Sequence, residues 1–170
     1  MKRYIKSNSN ASLGLGMSVP TEEDIIFGLA SYGGLPIKYN PNMPADARNM
    51  STFIEVSDKF FTHDTATQQH ILNHEVAHNF SDMLCAEHTG DWQKFCSAFI
   101  SEKDIPPTSL AYERGQRTYW EGLYGDIGAT AIWETTTQAI TEYLDDPHRL
   151  KQRSQDAYTI IDEFLKRKLQ

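Results

Sequence analysis

Several features that mark common protein classes are scarce or missing in this sequence. It contains two cysteines, Cys85 and Cys96, in 170 residues. That is too few for a disulfide framework, so we expect two buried free thiols. No run approaches the ~20 consecutive apolar residues that a membrane-spanning helix needs. Lys and Arg (16) are outnumbered by Asp and Glu (23), for a net charge of −7. This balance argues against nucleic acid or an anionic membrane as a partner, since both attract clustered positive charge.

The N-terminal residues also lack the apolar core of a signal peptide. A charged start is followed by a stretch rich in Ser and Asn, at the place where a signal peptide requires an apolar run. We therefore expect an intracellular protein, or one exported by a specialised secretion route. Residues 1–20 show little hydrophobic periodicity, which predicts a flexible segment. The remaining residues, 21–170, have the length of a single domain.

What is present indicates a globular α+β domain. Hydrophobic residues make up 39% of the chain and aromatic residues 11%. Thr21 precedes three acidic residues and is a suitable cap for a first helix, which Gly33 and Gly34 end. Hydrophobic periodicity then predicts extended segments over 35–39 and 51–56, and helices over 65–85, 131–144 and 148–168, with a further helix after Asp91. This order predicts a small antiparallel sheet and a mostly helical C-terminal part.

Residues 74–78, which read His-Glu-Val-Ala-His, carry the strongest chemical signal. They lie in the predicted helix that Asp64 caps. Because residues i and i+4 share a helix face, His74 and His78 direct two imidazoles at one point, with Glu75 beside it. Two nitrogen ligands with an adjacent general base are what a zinc-dependent peptidase needs. The alternative is a surface helix whose two histidines face solvent.

A catalytic zinc ion takes three protein ligands and keeps one position open, so one ligand remains to be found. His88 lies ten residues after His78, whereas the metzincin motif places its third histidine six residues after the second. Glu134 and Glu142, about two turns apart on the predicted helix over 131–144, are the other sources. Asp82, four residues after His78, could accept the second N–H of a ligating imidazole. His70 extends the same helix face by one turn.

Residues 127–134 read Ile-Gly-Ala-Thr-Ala-Ile-Trp-Glu, followed by Gln-Ala at 138–139 and Glu-Tyr-Leu at 142–144. This segment resembles the second motif of the anthrax-lethal-factor-like gluzincin peptidases. That motif runs approximately Tyr-Gly-x-Thr-Asn-Pro-x-Glu, then Asp-Phe-Ala-Glu and an aromatic residue. With residues 70–82 and the predicted strand before that helix, the resemblance covers about a quarter of the chain. It implies a zincin-like domain over residues 21–170, with one Zn²⁺ held by His74, His78 and Glu134, Glu142 being the alternative.

The chain departs from this pattern at the residues around the implied ligand. Thr-Thr at 135–136 stands for the family's Asp-Phe, and Thr-Gln at 137–138 for its Ala-Glu. Ile127 occupies the position of the tyrosine that can donate to the substrate oxyanion. Tyr124 is the first substitute in that role, followed by Tyr112 and Tyr119.

These residues predict a zinc-dependent endopeptidase. Glu75 would take a proton from a zinc-bound water and deliver it to the leaving amine, while a phenol such as Tyr124 stabilises the oxyanion. The protein or peptide substrate would lie extended along an edge strand, for which residues 51–56 are the candidate. The resemblance also implies a bacterial toxin or secreted effector. Two alternatives are a non-catalytic zinc-stabilised binding module and a regulatory protein with a peptidase-like fold.

Overall fold

The computed structural model describes residues 17–87 and 127–169, with side chains over 17–84 and 136–168. In chain order the elements are α1 (Glu22–Ile26), β1 (Ser31–Tyr32), β2 (Leu35–Tyr39), β3 (Ala47–Asn49), β4 (Ile54–Val56), α2 (Asp58–Phe61), α3 (Thr65–Glu87), α4 (Ile127–Asp145), α5 (Pro147–Arg153) and α6 (Gln155–Leu169). The α+β class and the mostly helical C-terminal part are confirmed. Over these two stretches of chain, none of the helices combines the length and apolarity needed to cross a bilayer.

The sheet is mixed, so the predicted antiparallel sheet is wrong. Its strand order is β1-β2-β4-β3. β2 and β4 are parallel, with Ile37 opposite Ile54, whereas β1 pairs with β2 and β3 with β4 in antiparallel fashion. After β2 the chain forms β3 at the outer position and then returns, so that β4 lies between β2 and β3. Alternation of apolar residues shows which face of a strand is buried but not which neighbour it pairs with, so it could not reveal this order.

The same order overturns the predicted substrate edge. β4, which lies within residues 51–56, has a partner on both sides. The outer strand is β3, a three-residue segment that sequence periodicity did not predict. Within residues 17–87 and 127–169, the strand at the edge of the sheet near α3 is therefore β3.

The first helix is capped as predicted but is shorter. Thr21 Oγ1 accepts from the Asp24 amide at 3.1 Å, and the helix ends at Ile26. Gly28 adopts a left-handed conformation with φ +71° directly after it, which ends the helix one turn before the predicted stop. Leu29, which lies within the predicted extent of this helix, follows its actual end and is 77% exposed.

Helix α3 begins as predicted, and the last predicted helix is divided. Asp64 Oδ1 accepts from the Thr67 amide at 2.8 Å and caps α3. Residues 148–168, predicted as one helix, form α5 and α6 because Ser154 is extended, with φ −151° and ψ 101°. Ser154 Oγ then accepts from the Ala157 amide at 3.3 Å at the start of α6.

One apolar core joins the sheet to the helices. It includes fully buried residues of β2, β4, α3, α4 and α6, among them Ile37, Ile54, Leu72, Ile140 and Phe164. The turn between β1 and β2 lies directly on α3, since a Cβ on Gly33 would stand 2.7 Å from Val76 Cγ2. Val76 belongs to residues 74–78, so this contact sets the position of the sheet relative to the candidate site.

Candidate metal centre

Helix α3 brings together the three polar side chains of residues 74–78. Ligand atoms of His74, Glu75 and His78 all lie within 4.8 Å of one another. The two imidazole rings are 4.7 Å apart between centroids, with their planes at 82°. The prediction that the i, i+4 spacing directs both rings at one point is confirmed. Glu75 is buried, with 8% of its surface exposed, and both histidines are half-buried rather than solvent-facing.

Burial keeps both imidazoles neutral. It lowers the pKa of His74 to about 3, and repulsion from His78 and His70 acts in the same direction. Burial also lowers the pKa of His78 to about 4, against the charge of Asp82, which raises it. Both rings are therefore uncharged at neutral pH and carry the nitrogen lone pair that a metal ligand requires.

Helix α4 covers the Nδ1 side of both rings. Thr141 Oγ1 lies 3.5 Å from His74 Nδ1, and Thr137 Oγ1 lies 3.2 Å from His78 Nδ1. Behind Thr137, the hydroxyl of Ser81 is 2.8 Å away. All three hydroxyl residues are fully buried. Each histidine thus meets a hydroxyl of the neighbouring helix, and the two helices pack with matching i, i+4 pairs.

The two threonines were not predicted as site residues. Asp82 was a candidate acceptor beside His78. It is exposed and its charge raises the pKa of His78, while Thr137 Oγ1 contacts Nδ1. The i, i+4 spacing of Thr137 and Thr141 was visible in the sequence. Nothing in the sequence indicates which face of α4 packs against α3, because several faces of α4 are buried.

Glu142, the alternative third ligand, is engaged elsewhere. Its carboxylate pairs with Arg149 Nε at 3.4 Å and with the guanidinium of Arg153, both on α5. It is buried, and that burial raises its pKa against the opposing effect of the two arginines. Thr141, the preceding residue, is the one that contacts a histidine. Glu142 therefore connects α4 to α5. In the described part of the chain, the group of possible metal ligands consists of His74, Glu75 and His78 and does not include Glu142.

Other predicted residues lie outside the described part of the chain. The backbone of position 134 belongs to α4, three residues before Thr137 and seven before Thr141, while the Glu134 side chain is not described. Tyr124 is outside the described residues altogether. The same holds for Tyr112, Tyr119, His88, Cys96 and the helix predicted after Asp91. The backbone of position 85 belongs to α3, while the Cys85 side chain is not described.

A second polar group lies one turn before His74. The Tyr32 hydroxyl donates to Asn73 Oδ1 at 2.8 Å, and Asn73 Nδ2 donates to Asp145 Oδ1 at 2.8 Å. The other oxygen of Asp145 lies 2.6 Å from His70 Nδ1. This network links β1, α3 and the end of α4. It holds His70, which is 46% exposed in its side chain, on the helix face that carries the two buried histidines.

The edge strand β3 is attached to the same stretch of α3. The side-chain amide of Asn49 donates to the backbone carbonyl of Glu75. One turn further, Asn79 Nδ2 donates to the Ser51 carbonyl at 3.1 Å. These two bonds hold β3 and the residue that follows it beside the main chain of Glu75.

No protein-family model, curated protein or solved structure matches this chain. The likeness to lethal-factor-like gluzincins stays a prediction carried by residues 70–82 and 126–144.

Proposed function

We propose that this chain is a zinc-dependent endopeptidase of zincin-like fold. The observation that carries the proposal is the grouping of His74, Glu75 and His78, with ligand atoms within 4.8 Å on a partly buried helix face. An edge strand attached to that helix through Asn49 supports it. So does a second long helix, α4, packed across the two histidines.

The donor set fits a zinc ion. Two neutral imidazoles on one face, beside a carboxylate, are nitrogen and oxygen donors of the kind that catalytic zinc sites use. His74, His78 and Glu134 are the residues that would hold the ion. Glu134 is favoured over Glu142 because α4 contacts the histidines through Thr137 and Thr141, and position 134 precedes these by three and seven residues on the same helix. The ion would supply Lewis-acid polarisation of the scissile carbonyl and a lowered water pKa.

Glu75 has the role of general base and acid. It accepts a proton from the attacking water and delivers it to the leaving amine. Its main chain is held by Asn49 and its side chain is buried, so the carboxylate is positioned relative to β3. Tyr124 is retained as the proposed oxyanion donor, at a position outside the described residues.

The substrate would be a protein or peptide that pairs with β3 rather than with residues 51–56. β3 is the sheet edge that lies beside α3, and an extended peptide can add a strand to such an edge through main-chain hydrogen bonds. The lethal-factor-like resemblance supports a role as a bacterial toxin or secreted effector.

Glu75→Gln tests the mechanism. The variant should bind about one zinc ion per chain and lose cleavage of a denatured-protein mixture by at least about 100-fold, the range expected for removal of a general base. Zinc content by elemental analysis and new N-termini by mass spectrometry are the two readouts. Glu23→Gln, an exposed carboxylate of α1, is the matched control and should cleave like the wild type.

Three outcomes separate the candidate functions. Cleavage retained in Glu75→Gln would refute the proposed mechanism. Zinc binding by the wild type without any chelator-sensitive cleavage would favour the non-catalytic zinc-stabilised module. If the wild type binds no zinc, both the zinc peptidase and the zinc-stabilised module are refuted. A peptidase-like fold used for binding alone then remains.

A further inference from the structure

The contacts between α3 and α4 repeat with the period of the helix. His74 and His78 are four residues apart on α3, and Thr141 and Thr137 are four residues apart on α4. Each threonine oxygen lies at the Nδ1 atom of one histidine, at 3.5 Å for His74 and 3.2 Å for His78. The threonines are fully buried. Bulk water therefore does not compete with the histidines for hydrogen bonds to these hydroxyls.

The proton of the Thr141 hydroxyl is already used. Thr141 Oγ1 donates to the Thr137 carbonyl at 2.7 Å, and a hydroxyl has one proton to donate. Towards His74 the Thr141 oxygen can therefore only accept. The Nδ1 atom of His74 must carry a hydrogen in this contact, which places the ring's lone pair on Nε2.

The hydroxyl protons near His78 can be assigned in the same way, starting from Ser81. Ser81 Oγ donates to the Ala77 carbonyl at 3.0 Å, which is an acceptor only. Its 2.8 Å contact with Thr137 is then one in which Thr137 donates and Ser81 accepts. The Thr137 oxygen, 3.2 Å from Nδ1 of His78, is then placed to accept from that atom. Both histidines thus meet, at Nδ1, a buried threonine oxygen placed as an acceptor.

We propose that Thr141 and Thr137, the latter backed by Ser81, are positioning residues that hold His74 and His78 in the Nδ1–H tautomer with Nε2 as the ligand atom. The role of Nε2 as a zinc ligand rests on the proposed function. The tautomers themselves can be measured without any metal.

The chemical class of these acceptors has a consequence for the site. A carboxylate behind a ligating imidazole adds negative charge and makes the ring a stronger donor. A threonine hydroxyl fixes the ring without adding charge. The pair of histidines is therefore oriented while the site keeps the positive charge that Lewis-acid chemistry uses.

Imidazole tautomers in the metal-free wild type are the first measurement. Long-range ¹H–¹⁵N correlation spectra at neutral pH should show protonated Nδ1 and unprotonated Nε2 for both His74 and His78. In Thr141→Val, which keeps the shape of the side chain and removes the acceptor, His74 should lose this preference. A wild-type His74 or His78 with hydrogen on Nε2 would overturn the proposal.

Zinc affinity, measured by competition with a chromogenic chelator, is the second readout. Thr141→Val and Thr137→Val should each weaken zinc binding about 10- to 100-fold, the range for loss of an outer hydrogen-bond partner of a ligand. Thr141→Ser retains the hydroxyl and should restore affinity close to that of the wild type. Thr136→Val, a buried threonine of the same helix turned by about 100° from Thr137, should bind zinc as the wild type does.

These outcomes are distinguishable from failure of the proposed function. Wild-type affinity in Thr141→Val, or the same loss in Thr141→Ser as in Thr141→Val, would overturn the positioning role even if the chain is a peptidase. A wild type that shows the expected tautomers but binds no zinc would refute the proposed metal site and leave the hydroxyl assignment intact. Thermal unfolding of each variant confirms that the measured species is folded.

Discussion

Glu75 and Glu142 are two buried glutamates whose carboxylates have different partners. Both are largely buried, with 8% and 5% of their surfaces exposed. Glu142 faces two arginines, at Arg149 and Arg153, while Glu75 lies with two neutral histidines. To bind a metal, a carboxylate committed to two guanidinium groups would have to give up both ion pairs, including the one with Arg153, whose side chain is 16% exposed.

The identity of the third ligand follows from this difference at the residue scale. Glu134→Ala should reduce bound zinc well below one ion per chain, because a site left with two histidines has lost a third of its protein donors. Glu142→Ala should retain zinc and instead lower the midpoint of thermal unfolding, since Arg153 would be left without its buried partner. Elemental analysis and calorimetry of the purified variants report the two effects.

Reversal of that pattern would reassign the ligand. If Glu142→Ala loses zinc and Glu134→Ala keeps it, Glu142 must leave its arginines when the metal binds. Glu163→Ala, at an exposed position of α6, is the control and should change neither zinc content nor unfolding midpoint.

At the scale of elements, the placement of the sheet on α3 depends on one glycine. Gly33 has φ +56°, and a Cβ there would stand 2.7 Å from Val76 Cγ2. Gly34 next to it has φ +80° and nothing within 4 Å of the same position. Two neighbouring glycines thus share the left-handed conformation but differ in what a side chain would meet.

Gly33→Ala should therefore destabilise the protein more than Gly34→Ala. Both variants incur the cost of a left-handed alanine, about 1–2 kcal/mol, and Gly33→Ala adds an overpacking cost of about 1–3 kcal/mol. The free energy of unfolding by urea measures the difference. Gly33→Ala combined with Val76→Ala tests the cause, since the smaller side chain removes the clash. If the two single variants are equally destabilised, the contact with α3 does not constrain the turn.

The elements also show where sequence patterns succeeded. The bounds of β2 and the capped start of α3 were predicted correctly, because Asp64 and the alternation over 35–39 act locally. β3 and α2 were missed, since segments of three and four residues are too short to show a period. The early end of α1 at Ile26 was not predicted because apolar residues continue past it. Of these, Phe27 and Leu29 are exposed, whereas Ala30 is buried.

For the whole molecule, the two buried histidines link stability to pH. An unperturbed histidine titrates near 6.5, whereas the pKa of His74 is about 3 and that of His78 about 4 in the fold. Between pH 6.5 and about 4 the unfolded chain binds protons that the folded chain does not. The free energy of unfolding therefore rises with pH in this window and falls on acidification, by up to about 1.4 kcal/mol per pH unit for each histidine.

This dependence can be isolated in the presence of a chelator. Urea unfolding of the metal-free protein between pH 7 and 4.5 should show the expected fall in stability. A variant with both His74→Gln and His78→Gln should fall less steeply, because the remaining dependence comes from other groups. Equal slopes for the two proteins would show that the histidines titrate normally in the fold.

Some properties of this protein are determined by the sequence alone. The i, i+4 spacing of His74 and His78 is enough to bring two imidazoles to one point, since a helix repeats every 3.6 residues. The caps at Thr21 and Asp64 and the α+β class follow equally from local chemistry. Each of these depends on interactions within a few residues, which the order of residues specifies directly.

Only the tertiary structure decided what surrounds that point. It placed β3 rather than β4 at the edge of the described sheet, Thr137 and Thr141 at the histidine rings, and Glu142 with arginines rather than with the histidines. The contacts between β2 and β4 join residues 17 positions apart, and those between the threonines and the histidines join residues 59 and 67 positions apart. They result from packing the apolar faces of several elements together, and that packing is a property of the whole chain rather than of any local pattern.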